Sequence, residues 1–134
     1  MTPDETTVLF ANDAFYAAFS QGDTQAMAEV WSRRAPITCI HPGGGFLNGR
    51  MAVMETWRAI LDSHSTDGIT CADATAHVVG DMARVMCLEV VGGGYLAATN
   101  VFVREGKTWK LVHHQAGPTT AKPESEPAPQ PPVQ

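Results

Sequence analysis

This chain of 134 residues predicts an α+β fold, in which helices from the first half are covered by a curved sheet from the second. Two observations carry that expectation. From residue 69 to 115, four long apolar-rich stretches are separated only by tight glycine-containing turns, at Gly80-Asp81, at residues 92–94 and at Glu105-Gly106, which is the pattern of an antiparallel meander. Ahead of them, apolar residues recur at three- and four-residue spacing, as amphipathic helices require. Each strand is predicted at about 8 to 11 residues, long for a small sheet, and long twisted strands must bend or curl. A bent sheet wrapped on helices tends to enclose a pocket.

The first helix is predicted over residues 5–21, with Val8, Ala11, Phe15 and Phe19 on one face. Gly22 suits the left-handed position that ends it, and Asp23 can cap the next helix, over residues 24–31, which presents Met27, Val30 and Trp31. Pro36 then breaks the chain into a short strand over residues 37–41, and Pro42 with the glycines at 43–45 makes a loop. A third helix, Arg50–Ser63, buries Val53, Trp57, Ile60 and Leu61 before the meander begins. The fold unit is expected to span residues 1–117. Residues 118–134 hold six of the nine prolines and a single large aliphatic, Val133, so they are expected to form a Pro-rich disordered tail that burial cannot order.

Composition excludes several classes. A net charge of −5, with nine Lys and Arg spread along the chain, argues against a nucleic-acid partner. No apolar run approaches the ~20 residues that span a bilayer, so no membrane partner is expected. The start, MTPDETT, lacks the pattern of a secretory signal, and Cys39, Cys71 and Cys87 have no CxxC spacing. A cytoplasmic protein with reduced thiols is the expectation. The glycines at 43–45 match neither GxGxxG nor GxxxxGK[ST], so no nucleotide cofactor is implied. Residues 85–91 are apolar on both strand faces, and no sequence remains to cover the outer one, which predicts a homodimer through that sheet face.

Three segments, FYAAFSQGDTQAMAEVW, ITCIHPGGGFLNGRMAVMETWRAIL and ATNVFVREGKTWKLVHHQAGP, resemble the SnoaL-like branch of the nuclear transport factor 2-like superfamily, which is related to the ketosteroid isomerases. The resemblance rests on the Gly-Asp joint between two helices, the His-Pro ending the first strand, the Gly-Arg opening the third helix and the final His-His-Gln. It implies a cone-shaped (cystatin-like) fold, with three helices packed in a strongly curved mixed sheet, a pocket at the wide end and dimers through the sheet. It does not imply one activity, because a fold hosts many. The oxyanion-donating Tyr of the ketosteroid isomerases falls at Phe15 here, with Tyr16 expected to turn away, and their carboxylate base falls at His41. Steroid isomerisation is therefore not expected.

The residues that could carry chemistry are few. His41 ends the first strand before Pro42, where an imidazole serves as base or acid, or else fixes the loop. His113 and His114 are adjacent on a strand and point to opposite faces, so they cannot share a metal, and no metal site is expected. A two-residue turn at Glu105-Gly106 would pair Phe102 with Trp109 and Asn100 with Leu111, placing Asn100 and His113 in the cavity and His114 outside. Glu89 is the one acid in an apolar strand. It is expected opposite Ala97 or Ala98 and in line with one of the two histidines, two strands or about 9.6 Å away, as an acid–base pair or a polar tie. Trp31 and Trp57 are core residues or the rim of a ligand site. Arg50 could clamp a carboxylate or form a salt bridge across the loop.

The function expected from these residues is binding of a small apolar organic ligand, with His41 and His113 as catalytic candidates and Trp31, Trp57, Glu89, Asn100 and His113 as ligand contacts. As an enzyme it would be a cofactor-free isomerase, dehydratase or cyclase. The competing expectation is a dimeric interaction module with a filled pocket.

Overall fold

The computed structural model of the protein describes residues 1–124, so most of the expected disordered tail, 125–134, lies outside the described residues. The element order is α1 (Pro3–Gln21), α2 (Thr24–Val30), β1 (Thr38–Ile40), β2 (Leu47–Asn48), α3 (Arg50–Ser63), β3 (Thr70–Val79), β4 (Met82–Val91), β5 (Gly94–Glu105) and β6 (Thr108–Pro118). The strands form one sheet in the order β2-β1-β6-β5-β4-β3. β1 runs parallel to β6 and every other pairing is antiparallel. The result is the α+β architecture expected, three helices against a mixed, curved six-stranded sheet, with one addition: the two-residue strand β2 lies within what the sequence presents as loop.

Local chemistry explains the helices. Thr2 caps α1 by accepting from Glu5 N at 3.1 Å, Pro3 sits where a missing N–H costs nothing, and Gly22 ends the helix at φ 64°. Asp23 caps α2 through Ala26 N at 3.0 Å. Among the described residues, the Arg50 guanidinium meets no carboxylate. It donates to Ala28 O at 2.6 Å and Ser32 O at 3.2 Å, satisfying carbonyls at the end of α2 and locking α2 to the start of α3.

The buried arc of α1 is wider than a single stripe. Val8, Asn12, Phe15, Tyr16, Ala18 and Phe19 are all buried, because the helix lies inside the curved sheet and meets protein on several sides. Tyr16, expected to turn away, is therefore an interior residue.

Two irregularities bend the sheet and set which side chains face inward. In β3, Ala72 pairs with Leu88 but Thr75 pairs with Met86, and Asp73 takes φ 56°. In β6, Leu111 pairs with Phe102 and His113 with Val101, so Val112 is an extra residue. The β5–β6 turn also falls one residue later than expected, with Glu105 opposite Thr108. The turn shift puts Trp109 opposite Arg104 rather than Phe102, and the bulge reverses the alternation beyond Leu111. His114 consequently pairs with Asn100 and points inward, while His113 points out. This overturns the expected arrangement of the two histidines. Glu89 likewise pairs with Leu96, because Gly92 and Gly93 alone make the β4–β5 turn.

β6 continues through Pro118, one residue past the expected boundary. The backbone N–H of Glu124 donates to Asp73 Oδ2 at 2.7 Å, tying the beginning of the tail to β3.

Candidate functional site

The concave interior carries a polar network that no neighbouring pair of residues in the sequence announces. Asn100 Oδ1 lies 2.5 Å from His114 Nδ1, and Asn100 Nδ2 donates to Asn12 Oδ1 at 2.9 Å and to Tyr16 Oη at 3.2 Å. Tyr16 Oη donates to Glu89 Oε2 at 2.7 Å and touches Cys87 Sγ at 3.3 Å. Asn12, Glu89, Asn100 and His114 are all at most 1% exposed. Buried polar groups need partners, and here each donor meets an acceptor in a consistent direction.

That directionality fixes the histidine. Because the Asn100 amide nitrogen is committed to Asn12 and Tyr16, its oxygen accepts from His114, so His114 holds its hydrogen on Nδ1. Nε2 is left with a lone pair, 3.8 Å from Glu89 Oε2. This contact is not an ion pair. Burial drives the His114 imidazole down to about 3, helped by the nearby His41 and His113. Burial also drives the Glu89 carboxyl up to about 7, against the hydrogen bond from Tyr16. Near neutrality the pair is an imidazole beside a carboxyl group poised to give or take a proton.

His41 completes the group. Its ring centroid lies 6.3 Å from that of His114 and 4.8 Å from Trp57. Thr56 Oγ1 donates its one hydrogen to Val53 O at 2.8 Å and so accepts from His41 Nε2 at 3.1 Å. The His41 Nδ1 lone pair has only the Cys39 sulfur near it, at 4.0 Å (3.6 Å from Nε2), and burial lowers this imidazole below its ordinary value. A recess of about 280 Å³ connects the three groups. His41, Glu89 and His114 line one part of it, and Phe19, Ile60, Ile69, Val91 and Leu96 supply apolar wall.

The sequence candidates divide accordingly. His41, Glu89 and Asn100 come together, the first two at the recess and the third behind it. His113 does not join them: it lies on the outer sheet face, 2.6 Å from Thr38 Oγ1 and 3.4 Å from Gln115 Oε1, because Val112 reverses the strand's alternation. Glu89 reaches His114 across the concave face rather than along a row of the sheet, since its own row holds Leu96 and Pro118. Trp31 and Trp57 are 0% and 1% exposed, and neither lines this recess. Trp57 backs it, packing on His41, and on His114 at 5.6 Å between centroids. Asn12, Tyr16, Thr56 and His114 are the residues sequence reasoning missed. A usable signal for two of them existed: Asn12 and Tyr16 are four apart on α1, beside the apolar stripe. Among the described residues, no group of three or more metal-binding side chains gathers anywhere.

Comparison with known proteins bears on the family and the fold. Residues 8–120 match the family model of the SnoaL-like domain. A Streptomyces avermitilis protein of the NTF2-like family, provisionally named a dehydratase, is 33% identical, with a TM-score of 0.78 over 90% of this chain and 100% of that one. A Thiobacillus denitrificans protein, provisionally named a calcium/calmodulin-dependent protein kinase type II association domain, is 32% identical, with a TM-score of 0.73 over 85% of this chain and 96% of that one. The F-box protein SKIP8 of Arabidopsis thaliana is 28% identical over 112 residues, 81% of this chain, and the chain spans about half, 48%, of that protein's length. No described helix is long and apolar enough to cross a membrane. The fold, the matched span and the solved relatives lead to one assignment: the chain belongs to the SnoaL-like domain family within the NTF2-like proteins.

Proposed function

We propose that the protein binds a small, mostly apolar molecule in this recess and carries out cofactor-free general acid–base chemistry on it, as an isomerase or lyase. The observation behind this reading is the gathering of two neutral imidazoles, each with one nitrogen donating to an oxygen and the other keeping its lone pair, around a carboxyl raised to about 7. His41 Nδ1 removes a proton from carbon, and Glu89 supplies one to the ligand oxygen. His114 Nε2 accepts a hydrogen bond from the ligand, and Tyr16 and Asn100 hold the two inner groups in place. The provisional dehydratase name of the Streptomyces relative is consistent with this class. The unpaired thiols of Cys39, Cys71 and Cys87 fit a cytoplasmic setting.

His41→Ala separates this reading from a structural one. Its imidazole contributes one hydrogen bond to Thr56, a weak contact with the Cys39 sulfur and packing on Trp57, so folding stability is expected to stay within about 1–2 kcal/mol of wild type. Turnover, or ligand binding, is expected to fall by roughly 100-fold or more. Chemical denaturation and a proton-exchange assay on the same preparations decide it. A large loss of stability would make His41 a tie for the loop that follows it.

A second reading has its own support. Val79, Met82 and Met86 on the outer sheet face are 70%, 50% and 52% exposed, an apolar surface that fits a second copy of the chain. We infer a homodimer through this face, in line with the interaction-module expectation. Light scattering across a dilution series is expected to give twice the chain mass, and Met82→Lys with Met86→Lys is expected to halve it. A wild-type monomer at all concentrations would remove this reading.

A further inference from the structure

We infer that the recess selects neutral molecules that donate a hydrogen bond, such as an alcohol, an enol or a phenol of roughly a dozen non-hydrogen atoms, and rejects anions of the same shape. The inference rests on the proton-transfer reading of the same site and adds the substrate class.

The hydrogen-bonding capacity of the lining carries it. His41 gives its only ring hydrogen to Thr56 and His114 gives its own to Asn100, so both imidazoles present lone pairs to the recess. Glu89 lies beside them, and Tyr16 donates to it rather than to the recess. The other polar lining groups are the hydroxyls of Ser65, which is bonded to Ser63 at 2.8 Å, and of Thr66. Among the described residues no Lys or Arg lines the cavity. An anionic ligand would therefore meet two lone pairs and a carboxyl with no cation beside them; the hydrogens on offer are that of the Thr66 hydroxyl and, while Glu89 is protonated, that of its carboxyl. A neutral hydroxyl can donate to an imidazole and accept from Glu89 at once. Burial keeps both imidazoles uncharged near neutrality, so they do not turn into donors at working pH. About 280 Å³ filled at the density of a protein interior holds roughly 10 to 13 non-hydrogen atoms. The walls of Phe19, Ile60, Val91 and Leu96 suit a ring or a branched hydrocarbon body.

Three probes of one shape test this: 2-naphthol, 2-methoxynaphthalene and 2-naphthoate, titrated calorimetrically into the full chain at pH 7. 2-Naphthol is expected to bind at least tenfold more tightly than either analogue. Equal or tighter binding of the methoxy compound removes the donor requirement, and equal or tighter binding of the naphthoate removes the charge selection. No binding of 2-naphthol up to millimolar concentration also overturns the proposal. Val91→Trp fills the recess and is expected to abolish 2-naphthol binding with an unchanged circular dichroism spectrum. Persistent binding in that variant would place the ligand elsewhere and overturn the assignment. If Val91→Trp does not fold, Ile60→Trp makes the same test from the opposite wall. A separate measurement, deuterium exchange at the α-carbon of α-hydroxyacetophenone, a neutral ketone that carries a donor hydroxyl, reads the acid–base function. Intact binding selectivity without accelerated exchange would leave the donor requirement standing while the catalytic reading falls.

Discussion

Asn100→Leu is expected to lower folding stability by about 3–5 kcal/mol and to lower the melting temperature by roughly 10–20 °C. Asn100 is 0% exposed and is the junction of the interior network. Its amide oxygen satisfies His114 Nδ1, and its nitrogen serves both Asn12 and Tyr16. Leucine keeps the branched shape and is the larger side chain, so it leaves no cavity, and the cost comes from stranded polar groups together with some overpacking. The His114 N–H and the Asn12 carbonyl lose their partners in an interior that water does not reach, at about 1–3 kcal/mol each. Tyr16 keeps its bond to Glu89 and adds less. Asn12→Leu alone strands one of the two hydrogens on the Asn100 nitrogen, which keeps its bond to Tyr16, and removes a weak contact to Cys71, so it is expected to cost less. The double variant is expected to be milder than the sum of the two, because the groups removed are each other's partners. Urea denaturation of the four proteins makes the cycle. A loss below about 1 kcal/mol for Asn100→Leu would show that water replaces the amide and that the network does not organise the site. The same variant frees His114 to hold its hydrogen on either nitrogen, so turnover is expected to drop further than stability alone explains.

How far the sequence led can be read from individual residues. The helices were legible because their signals are local: Thr2, Asp23 and Gly22 act within a turn of where they sit. The meander was legible because glycine pairs punctuate it, and Gly80-Asp81 makes the β3–β4 turn that the sequence predicts. The recess needed longer-range information. Its key histidine depends on Val112, a bulged residue with nothing in its side chain to mark it, and a slip of one residue carries every later side chain to the other face. Asn100 faces inward as expected, though behind the recess rather than lining it, because it precedes the bulge along the hairpin, whereas His113 and His114 follow it and exchange places. Tyr16 was missed for a different reason. A single apolar stripe describes a helix lying on a flat sheet, but α1 is enclosed, and its polar edge of Asn12 and Tyr16 faces protein. Glu89 was recognised as anomalous from its apolar strand alone, yet its contact with His114 comes from sheet curvature, which brings side chains together that belong to different rows.

The second large effect concerns Glu89, and it takes the form of a change in how stability depends on pH. The Glu89 carboxyl is raised from an ordinary 4.5 to about 7, so between those values the folded chain holds a proton that the unfolded chain has released. Its contribution to stability therefore falls as pH rises through that window, by about 1.4 kcal/mol per unit. His114 is lowered from 6.5 to about 3, so the unfolded chain binds a proton that the folded chain refuses, and its contribution rises with pH over that range by the same slope. His41, lowered by burial, acts in the same direction as His114. Between pH 4.5 and 6.5 the Glu89 and His114 slopes oppose each other, and wild-type stability is expected to change little. Glu89→Gln removes one of them. The variant is expected to lose about 3 kcal/mol as pH falls from 6.5 to 4.5, which denaturant titrations at closely spaced pH values would record. At pH 8 the order reverses: wild type carries a buried carboxylate there, and Glu89→Gln is expected to be more stable by up to about 3 kcal/mol. The glutamine oxygen can still accept from Tyr16, and its N–H group can turn toward His114 Nε2, so the swap strands no partner. A variant less stable than wild type at pH 8 would make Glu89 a structural tie and remove the acid from the site. A gain in stability together with loss of proton transfer is the opposite signature. It would mean that the fold tolerates a costly carboxyl at position 89 for the sake of the chemistry beside it.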